Sequence, residues 1–132
     1  MTSLYYHKKH FTVAEAIETL YIYHSMIEKM QFLAQQILRA GFNIESGTYL
    51  QNSPNVGKQS PPKEYEQLMQ VLEKIGSVGI IVKGIEEGLV DFPHLRTTGE
   101  EVYLCFRVGE ETIQFWHPID TGFAGRQPLN KL

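Results

Sequence analysis

Apolar residues recur at alternating steps of four and three along the first third of the chain, at Ala16, Leu20, Tyr23, Ile27, Met30, Ala34 and Ile37. That spacing draws a seam along one face of a helix. Just ahead of it, Thr12 and Glu15 have the separation of a capping box, in which the hydroxyl accepts from an orphan N–H and the carboxylate reaches back. Gly41 supplies a left-handed stop at the far end. A helix of about 28 residues would run ~42 Å, long enough to need a partner helix along much of its length. A second apolar face, Tyr65, Leu68, Met69, Leu72 and Ile75, follows Ser60 and Pro61, a capping residue set before a proline in the first turn, and closes at Gly76. Between the helices, residues 43–60 are rich in Gly, Asn, Ser and Pro and read as a flexible connection, the least ordered part of the chain.

After Gly76 the period shortens. GIIVKG, LVDF, VYLCFRV and TIQFWH are short β-branched or aromatic runs separated by Gly, Pro and charged turns. The pattern predicts one α+β domain over residues 1–132: a long helical hairpin (12–76), then an antiparallel β-meander of about four short strands with a C-terminal loop (77–129). Gly109-Glu110 fits a two-residue turn between the last two strands. In that register Val108, Phe106, Leu104 and Val102 oppose Glu111, Ile113, Phe115 and His117 on the core side. Arg107, Cys105 and Tyr103 then oppose Thr112, Gln114 and Trp116 on the other, since side chains alternate. A face that mixes Trp, Tyr and Arg suits a binding surface or subunit contact, and equally a half-wet face under the C-terminal tail.

Composition narrows the partners. The 132 residues are 42% hydrophobic and 20% charged, an ordinary globular balance, and the formal net charge of −3 offers no basic excess for nucleic acid or an anionic membrane. No run reaches the ~18 apolar residues of a membrane span, and the basic N-terminus has no apolar stretch behind it. With Cys105 as the only cysteine there is no internal disulfide, and a cytoplasmic location is the expectation.

Candidate chemistry is sparse. Cys105 and His117 would make a nucleophile and base only if they met, and the two-residue turn puts them on opposite faces, which leaves Cys105 a small buried hydrophobe. His7, His10, His24, His94 and His117 show no strong ligand spacing with Cys or acidic neighbours, and His7 and His10 fall in an unanchored N-terminus, so neither metal nor cofactor is expected. Asp91, flanked by apolar residues in GLVDFP, reads as capping a turn at an edge. The segment WHPIDTGFAGRQPL is the densest in functional side chains. Tyr103, Arg107, Trp116, His117, Asp120 and Arg126 are the candidates for holding a small acidic ligand on arginine and glycine-freed N–H groups, with Asp120 orienting His117. Against this stands a clasp, an Asp120–Arg126 ion pair that fixes the tail across the sheet. No catalytic residue or reaction can be assigned.

The runs GLVDFP, EVYLCFR and GEETIQFWHPIDTGFAGRQPL, with the FTVAEA opening at Phe11, resemble the bacterial family catalogued as domain of unknown function 2203. The resemblance implies a long helical hairpin followed by this C-terminal block, and no substrate, reaction or cofactor. The chain departs from the family in having Phe106 where a Trp is expected after the Cys, and an uncharged central loop where relatives continue in charged helix. The leading expectation is an interaction or regulatory module whose hairpin pairs with a protein partner, foremost a second copy in a four-helix arrangement. The alternative is a ligand-binding domain or minor enzyme built on the C-terminal block.

Overall fold

The computed structural model describes residues 4–132. Helix α1 spans Val13–Arg39, and both arms of its capping box are present: the Glu15 N–H donates to Thr12 Oγ1 (3.0 Å) and the Thr12 N–H to Glu15 Oε1 (2.8 Å). Gly41 follows at φ +78°, where a Cβ would run into Ser53. Helix α2 spans Lys63–Ser77. It starts later than the Ser60-Pro61 pattern predicts: Pro62 takes the N-cap position without a side-chain cap, and the Ser60 carbonyl instead accepts from the Tyr49 hydroxyl (2.9 Å). Its buried residues are Leu68, Val71 and Ile75, whereas Met69 is exposed.

The connection is not the loose segment its composition suggests. It opens with a two-stranded antiparallel sheet, β1 (Phe42–Asn43) with β2 (Thr48–Tyr49). Ser53 Oγ and Asn55 Nδ2 then donate to the Ala40 carbonyl (3.0 and 2.9 Å), satisfying an acceptor that the helix end leaves without an intrahelical partner.

Five strands, not four, make the main sheet: β3 (Ile81–Gly84), β4 (Leu89–Leu95), β5 (Glu101–Arg107), β6 (Phe115–Pro118) and β7 (Gln127–Pro128), antiparallel and neighbours in chain order. The fifth is two residues long and half proline, so it carries no alternation to read. One sheet face, with Val90, Phe92, Val102, Leu104, Phe106 and Trp116, joins the apolar faces of α1 and α2 in a common core. Six of the seven seam residues of α1 are buried in it, and Tyr23 is half-buried. No helix among the described residues is long and apolar enough to cross a membrane.

The register of the last two strands differs by one residue from the one a two-residue turn would set. Val102, Tyr103, Leu104 and Cys105 pair with Pro118, His117, Trp116 and Phe115. Residues 108–114 form a longer connection in which the Glu110 N–H donates to the Arg107 carbonyl (3.1 Å), Glu110 Oε1 accepts from the Arg107 N–H (2.7 Å), and Ile113 is drawn into the core. A one-residue slip exchanges the faces of a whole strand. Trp116 therefore lies in the core beside Leu104, and His117 lies with Tyr103 and Cys105 on the opposite face.

A buried Asp-Cys-His cluster on the outer sheet face

Paired residues of neighbouring strands share a face, so the rows Ile81–Asp91–Cys105–Phe115 and Pro93–Tyr103–His117 lie side by side away from the helices. They bring together three groups far apart in sequence. Asp91, Cys105 and His117 are 1%, 0% and 2% exposed, and one ligand atom from each lies within 4.8 Å of the others. Asp91 is thus not a turn cap at an edge: it sits in the middle of β4, between Ile81 and Cys105. Cys105 and His117, expected on opposite faces, share one.

The hydrogen bonds define the protonation of the cluster. His117 Nδ1 lies 2.7 Å from the Pro118 carbonyl oxygen and Nε2 lies 3.1 Å from Asp91 Oδ2. With Asp91 as a carboxylate both partners are acceptors, an arrangement that suits a ring donating from both nitrogens. Burial works against the charged ring, but the Asp91 hydrogen bond and charge, with the Pro118 carbonyl, outweigh it and hold His117 above its ordinary value. For Cys105, burial and then the Asp91 charge push the thiol up to about 12, so it is protonated at neutral pH and is no nucleophile in this arrangement. A carboxylate, a thiol and an imidazolium together carry no net charge. Asp91 Oδ1 is enclosed without a hydrogen-bond partner.

The N-terminal segment, expected to be unanchored, is tied to this face. Glu101 accepts from the backbone N–H groups of Tyr6 (2.8 Å) and His7 (3.0 Å) and from His10 Nε2 (2.7 Å), and His7 Nε2 shares a 2.6 Å hydrogen bond with the Tyr103 hydroxyl. Tyr103 packs against the His117 ring, 5.4 Å between centroids, and the bulge between Val82 and Gly84 leaves Lys83 Nζ 4.5 Å from the Tyr103 ring. Burial raises the Glu101 carboxyl, but the bonds from His10, Tyr6 and His7 lower it more, leaving it below its ordinary 4.5. Glu101→Ala is expected to cost about 1–3 kcal/mol and to speed hydrogen exchange at the Tyr6 and His7 amides selectively. The same contribution is present above pH 4.5 and is lost as pH falls through the lower native value. Unchanged exchange at those amides would show that Glu101 does not hold the segment.

Of the other ligand candidates, Arg126 does not pair with Asp120. Its Nη2 reaches both oxygens of Glu110 (2.8 and 2.7 Å), and its guanidinium lies 4.1 Å from the Phe115 ring and 4.5 Å from the Phe123 ring. Asp120 is exposed, and Arg107, also exposed, lies 5.7 Å from Phe123. Trp116 is core, with the Arg96 guanidinium over its ring, 4.7 Å from the centroid. The clasp therefore exists with a different partner. In a double-mutant cycle Glu110→Ala and Arg126→Ala should couple by about 1 kcal/mol in thermal unfolding, while Asp120→Ala stays within about 0.5 kcal/mol of the parent. Additive losses at Glu110 and Arg126 would contradict the pairing.

Spacing could not reveal the cluster, because each member sits on a different strand and only the register joins them. The available signal was the choice between Trp116 and His117 as the core residue, since Trp brings the larger apolar surface.

No curated protein and no solved structure shows significant similarity to the chain. A family model described as "Uncharacterized conserved protein (DUF2203)" matches residues 9–129, a span that takes in both helices, the whole five-stranded sheet and the cluster. The chain belongs to the DUF2203 family.

Proposed function

We propose that the protein is a cytoplasmic binding module that assembles with a second copy of itself through α1, and that its buried polar groups serve the fold. In this reading the two helices form a hairpin, supported by the Phe42–Tyr65 ring contact beyond one end of α1 and the approach of Phe11 to Gly79 before the other. The observation that carries the reading is the apolar surface α1 leaves uncovered. With the heptad seam occupied inside the chain, Tyr21 is still 86% exposed, Phe32 59% and Ile17 38%. At 100° per residue these three fall within about 60° of one another. A groove of about 420 Å³ runs beside Ile17 and Tyr21, between α1 and Glu111 and Thr112 of the β5–β6 connection. A helix face of this kind is a usual seat for an isologous contact.

Catalysis has less support, because the groups able to perform it are committed: Cys105 is held as a thiol and His117 is fixed between two acceptors. A small acidic ligand at Arg126 would have to displace Glu110. Light scattering should give a dimer mass in the micromolar range. Tyr21→Glu with Phe32→Glu should reduce it to a monomer with little change in melting temperature, since both side chains are exposed. A monomeric parent up to high micromolar concentration would refute the assembly.

A further inference from the structure

We propose that Asp91, Cys105 and His117 form a zinc site in which a carboxylate oxygen of Asp91, the Sγ of Cys105 and the Nε2 of His117 bind one ion and clamp β4, β5 and β6 together. The proposal is independent of the assembly argued above and rests on the cluster alone. Carboxylate, thiolate and imidazole together are a zinc ligand set, while calcium and magnesium take oxygen ligands only. Zinc–ligand distances of about 2.0–2.3 Å put tetrahedral ligand atoms roughly 3.4–3.7 Å apart. The three atoms here lie within 4.8 Å of one another, so closing on an ion asks any pair to approach by about 1.4 Å at most.

Two further features fit the ion. His117 Nδ1 is already held by the Pro118 carbonyl (2.7 Å), the outer-sphere hydrogen bond that orients a metal-binding imidazole and leaves Nε2 to the metal. Asp91 Oδ1 is a buried acceptor with no hydrogen-bond partner. A carboxylate oxygen left bare inside a protein is costly, and a cation coordinated there would remove that cost.

Charge balances at every step. Taken as Asp91 carboxylate, Cys105 thiol and His117 imidazolium, the metal-free cluster sums to zero. Binding Zn²⁺ forms one bond each to oxygen, sulfur and nitrogen and displaces the thiol proton and the Nε2 proton to solvent. The product, Zn²⁺ with carboxylate, thiolate and neutral imidazole, again sums to zero. No net charge is buried in either state, and the high thiol value in the metal-free cluster is no obstacle, since a coordinated thiol loses its proton to the metal. The nearby charges, Lys83 from β3 and the mutually paired Glu110 and Arg126, leave that balance in place. Three protein ligands leave one tetrahedral position to a water molecule. Because the ligand residues are at most 2% exposed, no substrate reaches that water, and the ion's role is to hold three strands in register.

The test uses the full chain, stripped with a chelator and titrated with CoCl₂ as the spectroscopic probe. The expected result is one Co²⁺ per chain with a thiolate charge-transfer band and the visible bands of a tetrahedral site, both abolished by ZnCl₂ in competition, and a melting temperature raised by Zn²⁺. Cys105 is the only cysteine, so any thiolate band reports this cluster. Cys105→Ser should lose the band, whereas His24→Ala, a change at a partly exposed helix histidine outside the cluster, should keep it. Absence of the thiolate band in the unaltered chain would overturn the proposal even if a variant failed to fold. Binding that persists unchanged in Cys105→Ser would overturn it too, by placing the ion on surface histidines.

Discussion

Asp91→Ala is expected to destabilise the protein by about 3–5 kcal/mol, the usual cost of removing one partner of a buried ion pair. The size follows from what remains. His117, 2% exposed, would keep a protonated Nε2 facing a space with no acceptor, or would shed that proton and leave a buried Nε2 lone pair without a donor, Nδ1–H staying on the Pro118 carbonyl. Asp91→Asn should cost less, because the amide oxygen can still accept from Nε2 while only the charge is lost. Denaturant unfolding of the three proteins, compared at equal m-values, measures the difference. Equal stability of Asp91→Ala and the parent would mean that the His117–Asp91 contact at 3.1 Å does not act as an ion pair.

Ile27→Asp should leave no folded protein. Ile27 is 0% exposed in the middle of α1, and the seam it belongs to is covered within one chain by α2 and the sheet. A carboxylate there meets neither water nor a donor, a burial cost that exceeds the few kcal/mol by which a domain of this size is stable. The milder Ile27→Ala, at about 2–5 kcal/mol, should give a folded protein with a lowered midpoint. Far-ultraviolet circular dichroism distinguishes the outcomes: a native spectrum for Ile27→Asp would show that this stretch of α1 opens to solvent more readily than its burial implies. The substitution also separates two roles of the helix. A seam that served only a second copy would give a folded monomer, whereas a seam that builds the core gives no fold.

How much could be read from the residues depends on how locally each feature is determined. The start of α1 is set by two side chains three positions apart, Thr12 and Glu15, and its inward face by steps of four and three, so both appear in the sequence as they appear in the structure. The α2 boundary was harder, because Ser60 resembles a cap but its carbonyl is bound by Tyr49, a residue eleven positions earlier. The site depends on register, and register depends on the seven residues between β5 and β6. Gly109-Glu110 has the composition of a tight turn, yet Glu110 folds back onto the Arg107 backbone and also reaches Arg126, a contact that requires the tail to be in place. A wrong guess of one residue there moves His117 from one face to the other and dissolves the cluster. The candidates Tyr103 and His117 do meet, Arg107 and Arg126 both approach Phe123, Trp116 goes to the core, and Asp120 stays in solvent.

The anchoring of the interhelical connection carries an implication for how sequences of this fold can vary in length. From Gly41 to Asn55 the backbone cannot be lengthened freely: Gly41 is pressed against Ser53, Leu50 N–H donates to the Gly41 carbonyl, and Ser53 and Asn55 finish the end of α1. Ser60 is fixed again by Tyr49. Between these anchors Gly57 has open space where a Cβ would stand, and Val56 is 47% exposed. Insertions, deletions and protease nicks should therefore concentrate in the four residues 56–59, and extra helical turns should be admitted there without disturbing either helix end.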